Sequence, residues 1–388
     1  MNVIERLDSQ LGLNPEEAML LESVRALAKN EIAPRAAHYD ETKEFPWANV
    51  EAINRLGLNA MFIPEQYGGA GLSYLVYLAC VREISSACAS TGIIWATNYH
   101  AIKPIIEFGT DEQQERLLPV IANGGLGALV ITEPDAGSDA TGMRTSFRED
   151  GDHIVVSGSK TFITNGDVAD LYLVFGKWAG VEDAKQAISC VVIEKGTPGL
   201  SVARLEDKLG HRASSTATLN FDQCRIPRRN LIRGPGEGLR MLIGSLNKSR
   251  PSIGAHSLGI ARAAFNDAVA YINGRRQSSR RIIEFQGIQF LLADLASELA
   301  LCEGWLLNVA RLVDSGETDI GVEASILKLR ASDLAMRMAT EAIQLHGGYG
   351  YCKEYRVERL FRDAKIEQIW EGTNQIHRQI IGRSFVER

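Results

Sequence analysis

What is scarce in this sequence already narrows its chemistry. Six cysteines are scattered over 388 residues with no CxxC pair and no metal-type spacing. Cys80, Cys88, Cys190, Cys224, Cys302 and Cys352 are therefore expected to be reduced and mostly buried, and no metal site is expected. No apolar run approaches the roughly 20 residues that cross a bilayer. The opening Met1-Asn2-Val3-Ile4-Glu5-Arg6 lacks the basic-then-apolar order of a secretory signal, so a cytoplasmic protein is expected. Blocks of like charge are missing too: 42 basic and 48 acidic residues are interspersed, giving a formal net charge of -6. That balance argues against nucleic acid or an anionic membrane as the main partner, while leaving room for local basic pockets. With 45% hydrophobic residues, the chain has enough apolar material for a large core divided among two or three domains.

The texture changes twice along the chain. From Asn14 the pattern is helical: Asn14 can cap, Pro15 suits the first position, Glu17 completes a capping box, and Leu21, Val24, Leu27 and Ala28 form a stripe. This helix should end before Pro34. Further helices are expected over 47–56, 72–86 and 102–108, interrupted by the Pro64-Glu65-Gln66-Tyr67-Gly68-Gly69 turn. Near Gly127 short β-prone runs begin, at 128–132, 153–157, 171–175, 189–194 and 218–221, and predict a small barrel or sandwich. After Gly234-Pro235-Gly236-Glu237-Gly238, helical periodicity returns over 239–273, 284–314, 320–346 and 374–386, which fits a four-helix bundle. The expected domains are residues 1–126, 127–235 and 236–388. Helices, then strands, then helices, without strand-helix alternation, disfavour a Rossmann domain. The glycine clusters at Gly68 and Gly347 also lack the preceding strand that a dinucleotide fingerprint needs.

Three segments carry candidate chemistry. Ile131-Thr132-Glu133-Pro134-Asp135-Ala136-Gly137-Ser138-Asp139 leaves a strand for a turn of small residues, which either is an ordinary turn or offers hydroxyls and N–H groups to a polar cofactor edge. Lys160-Thr161-Phe162-Ile163-Thr164-Asn165-Gly166 sets Phe162 and Thr164 on one face of a strand, where a planar ring could stack and hydrogen-bond, unless Phe162 is core. Ile369-Trp370-Glu371-Gly372-Thr373-Asn374 puts a carboxylate just before a helix capped by Thr373 or Asn374. Alone, Glu371 reads equally as a capping or solvated carboxylate. Gln344-Leu345-His346-Gly347-Gly348-Tyr349-Gly350 ends a long helix, and Arg250, Arg275 and Arg362 could meet phosphates or carboxylates.

Together with Lys208-Leu209-Gly210-His211-Arg212, Arg362-Asp363-Ala364-Lys365-Ile366 and Glu371-Gly372-Thr373, these segments resemble the acyl-CoA dehydrogenases over nearly the whole chain. The resemblance implies a mainly α fold with a central β domain: an N-terminal helical domain, a middle β-barrel and a C-terminal four-helix bundle. It implies FAD, with Glu371 removing the α-proton of an acyl-CoA thioester in an apolar, water-poor pocket while the β-hydrogen leaves as hydride. Some relatives place the base where this chain has Ser249, which cannot serve. Cofactor contacts are implied for Leu129, Ile131, Thr132, Gly137, Ser138, Phe162, Thr164, Thr373 and Gln375. Arg275, Gln286, Gln344 and Gly348 match residues that reach a neighbouring subunit's FAD, so a homotetramer built as a dimer of dimers is implied. Substrate contacts are implied for Trp95, Tyr99, Ser138, Asn247, Arg250 and Gly372, and electron-transferring flavoprotein is the implied acceptor.

Two departures stand out. Ser278 and Ser279 replace a common Phe-Gly pair after the matching arginine, and Leu129 stands where an aromatic is frequent. Trp95 and Tyr99 predict a short, branched, cyclic or aromatic acyl group, or else are core. Thr91 in place of a carboxylate-binding arginine argues against glutaryl-CoA, although Lys103 could hold a dicarboxylyl group. An oxygen-using oxidase and a non-catalytic flavin- or CoA-binding scaffold are the competing functions.

Overall fold

The computed structural model describes residues 3–386. Seven helices come first: α1 (Val3–Ser9), α2 (Pro15–Leu27), α3 (Ala33–Thr42), α4 (Trp47–Arg55), α5 (Tyr74–Ala87), α6 (Ala89–Phe108) and α7 (Asp111–Ala122). α2 opens with the expected capping box between Asn14 and Glu17 and with Pro15 in its first turn. Pro34 does not stop the chain as expected. A π turn at Ala28–Ile32, closed by Ala33 N–H donating to Ala28 O, restarts the helix so that Pro34 falls in the first turn of α3. There its missing N–H leaves no bond unmade. α7 was not expected from the pattern, although Thr110 and Gln113 form a capping box at its start.

The middle segment folds into β1 (Gly127–Val130), β2 (Ser146–Asp150), β3 (His153–Thr164), β4 (Leu171–Trp178), β5 (Ile188–Glu194), β6 (Leu200–Leu205) and β7 (Thr216–Pro227). They make one curled seven-stranded sheet in the order β1-β4-β2-β3-β7-β6, with β5 added on β4. β4 pairs parallel with β1 and β2, while the remaining ladders are antiparallel. β4 and β5 are buried on both faces, which is why they read as unbroken apolar runs. Leu171, Leu173 and Phe175 pack with Ile102, Leu117 and Leu118 of the helices, whereas Tyr172 and Val174 face the sheet's own core with Phe147 and Ile154. The sheet is thus joined to α6 and α7 by the alternation of a single strand.

The last third contains α8 (Gly238–Gly274), a two-residue hairpin β8 (Arg276–Gln277) and β9 (Arg280–Arg281), then α9 (Gln286–Asp314), α10 (Gly321–His346), α11 (Val357–Glu367) and α12 (Asn374–Arg383). α11 is a further helix beyond the four expected. α8 is buried without interruption from Ser249 to Ala264, so its middle is enclosed on every face. One core cluster runs through α2, α5, α6, α8, α9, α10 and α11, making α8 the pillar shared by both helical regions.

A buried ionic group ties three other helices to this pillar. Arg82 Nη1 of α5 donates to Glu303 Oε2 of α9 at 2.7 Å, Arg262 of α8 pairs with the other Glu303 oxygen, and both arginines reach Asp8 of α1 at 2.8 Å. Arg82 and Glu303 are each 1% exposed, so neither charge has water to fall back on. Glu303→Ala should lower the stability to urea by about 3–5 kcal/mol, because two buried guanidinium groups would then lose their one fully buried counter-charge and keep only the partly exposed Asp8 and Glu83. Equilibrium urea denaturation checks this: a loss under about 1 kcal/mol would contradict the role assigned to Glu303.

Candidate active site

The turn between α11 and α12 holds Glu371 at φ 53° and Gly372 at φ 94°. A left-handed position is natural for glycine but costs a residue with a side chain, here Glu371, roughly 1–3 kcal/mol. Neighbours hold the turn in place. Lys328 Nζ of α10, fully buried, donates to Gly372 O at 2.7 Å and to Asn374 Oδ1 at 3.0 Å. Burial pushes the Lys328 ammonium down to about 8 against the pull of Glu367 and Glu371. Arg250 Nε approaches Glu371 O at 3.4 Å, and its Nη1 donates to Asn247 Oδ1 at 3.2 Å. Thr373 is the α12 cap, its Oγ1 accepting from Ile376 N at 3.4 Å.

The Glu371 side chain is turned to the interior. Its Oε2 accepts from Ser249 Oγ at 2.7 Å, so the serine at the alternative base position is a direct partner of the carboxylate. One turn along α8, Ser252 Oγ donates to Ser249 O at 2.7 Å and lies 2.6 Å from His100 Nε2 of α6. Ser252 has a single hydrogen and gives it to that carbonyl, so His100 Nε2 is the donor in the second contact. Burial pushes His100 down, and Glu371 opposes the shift. Behind these groups lies an aromatic wall: Tyr77 packs on Tyr99 at 4.6 Å and on Trp95 at 5.5 Å between ring centroids. Burial drives the Tyr77 hydroxyl far up, with Glu371 adding to the shift. Trp95 and Tyr99 are 1% and 4% exposed, so both are packed core residues, joined to Glu371 through Tyr77. The Glu371 carboxylate thus has a hydroxyl as its direct partner, with the imidazole of His100 and the buried cations Arg250 and Lys328 also acting on it.

The β domain offers a rim. At β3 the pairing with β7 slips between Lys160 and Ile163, and Phe162 sits at φ 58°, 63% exposed. A bulge therefore throws the ring outward while Ile163 stays in the core. Thr164 is half-buried on the same strand, two residues beyond the bulge. Both ends of the segment are pinned. Lys160 Nζ donates to Ile131 O at 2.6 Å and pairs with Glu133 at 2.9 Å, and Asn165 Nδ2 donates to Ile94 O and Gly127 O, each at 3.1 Å. Thr161 N donates to Thr132 O at 2.9 Å, which places the Thr132 turn beside Phe162. Gly137 and Ser138 are exposed on that turn, while Leu129 and Ile131 are half-buried against the helices. Gln375 is exposed on α12.

The loop between β6 and β7 ties this rim to the Glu371 turn. His211 N donates to Asp363 Oδ1 at 2.6 Å, and a Cβ on Gly210 would stand 2.4 Å from Arg362 O, so the loop lies flat on α11. Arg362 is paired with Asp40 and Glu358 and is thereby a structural arginine. The His211 ring meets Trp370 edge-on at 4.9 Å and stacks on His256 at 5.2 Å. His211, His256 and Glu367 form the one group of potential metal ligands among the described residues. The cysteine-based reading had no view of it.

A second locus lies at the other end of α8. Arg275, Gln344 and Gly348 line a groove of about 590 Å³ with Tyr271, Ile288 and Leu291, and Gln286 opens the helix that supplies the last two. Three of the four residues matched to a neighbour's cofactor are thus in one groove. Ser278 and Ser279 form the adjacent hairpin tip at φ 50° and 67°, left-handed positions that a glycine would occupy without strain. Reasoning from sequence missed Lys328, His100, Ser252, His256 and Glu367. No motif marks them, and only their burial as polar groups in the folded chain does.

Known proteins match this arrangement over its full length. Family descriptions of the acyl-CoA dehydrogenase N-terminal, middle and C-terminal domains match residues 14–125, 128–224 and 236–386. An acyl-CoA dehydrogenase of Bacillus subtilis is 41% identical over 375 residues, covering 96% of this chain and 98% of that protein. The structure of butyryl-CoA dehydrogenase from Megasphaera elsdenii superposes with a TM-score of 0.94 at 34% identity, covering 97% and 99% of the two chains. A chain from the structural study of the electron-transferring flavoprotein of Acidaminococcus fermentans gives 0.94 at 36% identity and the same coverage. With three domains matched in order and this identity across nearly its whole length, the chain belongs to the acyl-CoA dehydrogenase family, whose members are FAD-dependent oxidoreductases acting on acyl-CoA.

Proposed function

We propose that the protein converts an acyl-CoA thioester to its 2,3-enoyl-CoA, with Glu371 as the base that takes the α-proton. The observation that carries this reading is the 2.7 Å contact from Ser249 Oγ to Glu371 Oε2. It aims a carboxylate inward at the one position where a base on α8 could compete, and a serine there has no basicity to offer. Bound FAD supplies the acceptor for the β-hydride. The protein's own work is the rest. Glu371 removes the proton as the thioester carbonyl delocalises the developing charge, and N–H donors aimed at that oxygen lower the barrier. The aromatic wall of Tyr77, Trp95 and Tyr99 keeps water from the carboxylate. Phe162 and Thr164, with Thr132, Gly137 and Ser138, would hold the flavin, while Asn247 and Arg250 line the entrance for CoA.

The bulk of the packed Trp95 and Tyr99 supports a short, branched, cyclic or aromatic acyl group over a long straight chain. Electron-transferring flavoprotein is the acceptor this reading favours, in keeping with the Acidaminococcus neighbour. The groove at Arg275 lies about 39 Å along α8 from Ser249, beyond the span of one dinucleotide seated beside Glu371. Its residues therefore serve the FAD of another subunit, which supports a homotetramer.

Three outcomes are expected. In an anaerobic screen with butyryl-, isobutyryl-, cyclohexanoyl- and 3-phenylpropanoyl-CoA, at least one should bleach the flavin; a flavin-loaded protein bleached by none of them would favour the scaffold. Glu371→Gln should keep FAD and acyl-CoA binding but lose flavin reduction by several orders of magnitude, as an amide is no base. Near-normal reduction in stopped-flow absorbance would overturn the assignment. Arg275→Gln should weaken FAD retention on gel filtration while leaving the subunit folded, and unchanged flavin content would remove the groove from the cofactor site.

A further inference from the structure

We propose that Glu367, clasped by His256 and His211, is a positioning residue that fixes Trp370 and so presents Glu371 in its left-handed turn. The inference rests on Glu371 being the base. Glu367 and His256 are 0% exposed and His211 is 2% exposed, a concentration of titratable groups that proton abstraction does not itself use. Glu367 Oε2 accepts from Ser257 Oγ at 2.7 Å. Its Oε1 lies 3.1 Å from His256 Nδ1 and 3.4 Å from His211 Nε2.

The protonation state follows from the partners. His256 Nε2 is 2.8 Å from Ala89 O, a carbonyl that only accepts, so Nε2 carries a hydrogen. Nδ1 then stands 3.1 Å from a carboxylate oxygen without an aligned hydrogen bond, so a proton on it pairs with Glu367 by charge. The clasp is therefore an ion pair, with imidazolium and carboxylate as its natural form. Burial pushes His256 down, but Glu367 outweighs it and raises the imidazole above its ordinary value. The two imidazoles hold Glu367 well below the usual carboxylate range despite its burial. The other groups acting here are Asp363 on α11, Lys328 on α10 through Glu367, His100 on α6, and Ser257 on α8 itself.

Trp370 lies across both rings, 4.9 Å from His211 and 5.7 Å from His256, both edge-to-face. It directly precedes Glu371, and Glu367 stands one helical turn earlier. A change in the clasp thus reaches the base through a single rigid side chain. The sign of the pH effect is fixed. A raised His256 keeps its proton through neutrality and loses it on the alkaline side, leaving Glu367 unpaired in the core. A depressed Glu367 loses its charge only at strongly acid pH.

The test is anaerobic stopped-flow reduction of the FAD-loaded oligomer, using whichever of the four acyl-CoAs named above bleaches the wild type fastest, across a range of pH. Glu367→Gln should lower the limiting rate about 10- to 100-fold with little change in acyl-CoA affinity, as expected for a base displaced by a fraction of an ångström to an ångström. The alkaline limb of the wild-type profile should move to lower pH in Glu367→Gln and vanish in His256→Gln, which has no proton to lose there. Should Glu367→Gln fail to fold, the His256→Gln profile decides alone. Wild-type rates and an unaltered alkaline limb in folded, flavin-loaded variants, with only a lower melting temperature, would overturn the proposal. So would a stoichiometric metal ion in the purified protein by elemental analysis, since a cation would replace the imidazolium charge beside Glu367. A wild type that no acyl-CoA bleaches would instead sink the dehydrogenase reading, so the two failures are distinguishable.

Discussion

Glu371 and Gly372 occupy consecutive left-handed backbone positions, and a glutamate stays in such a place only when its surroundings over-determine it. Lys328 holds the Gly372 carbonyl from α10, Arg250 approaches the Glu371 carbonyl from α8, and Trp370 is wedged on two imidazoles supplied by α8 and by the β6–β7 loop. Three separate parts of the chain therefore converge on three consecutive residues. The buried middle of α8 makes the convergence possible, because it places Ser249, Arg250 and His256 on one helix enclosed by both helical regions. A rigid pillar of this kind fixes a carboxylate more firmly than a loop could.

The β domain has the complementary task of presenting a flat, open rim. The bulge that exposes Phe162 is a local break in pairing, and it is tolerated because Lys160 and Asn165 anchor the strand on either side. Lys160 illustrates the cost of such anchoring. It is a fully buried ammonium whose burial pushes it down to about 8, stabilised by Glu133 and the Ile131 carbonyl. The same loop that continues β6 into β7 lies against α11, so the rim and the Glu371 turn are registered through direct contacts of His211 with Asp363 and Trp370.

Much of this was legible in the sequence, for identifiable reasons. The capping box at Asn14, the apolar runs of β4 and β5 and the long periodic segments of α8, α9 and α10 are local signals, and local signals survive without tertiary context. β6 was not legible because it is an exposed edge strand with no alternation to read. Pro34 misled because a π turn, which no propensity announces, re-phased the helix around it. The motif residues of the candidate site were visible as motifs, but their supports were not. His211 meets Asp363 across 152 residues and Ser257 meets Glu367 across 110, so each partner reads alone as an ordinary polar residue. Burial of both at once gives them meaning.

The central claim is that Glu371 is the base, and covalent trapping addresses it most directly. A 3-alkynoyl-CoA has an acidic α-proton, and its removal followed by reprotonation yields an electrophilic allenoyl thioester beside whichever group acted. Peptide mass mapping of the FAD-loaded protein after incubation with 3-pentynoyl-CoA should find the acyl-CoA adduct on the peptide bearing Glu371, with loss of flavin bleaching in proportion to labelling. An adduct on another residue, or rapid labelling of Glu371→Gln at the same rate as the wild type, would contradict the account.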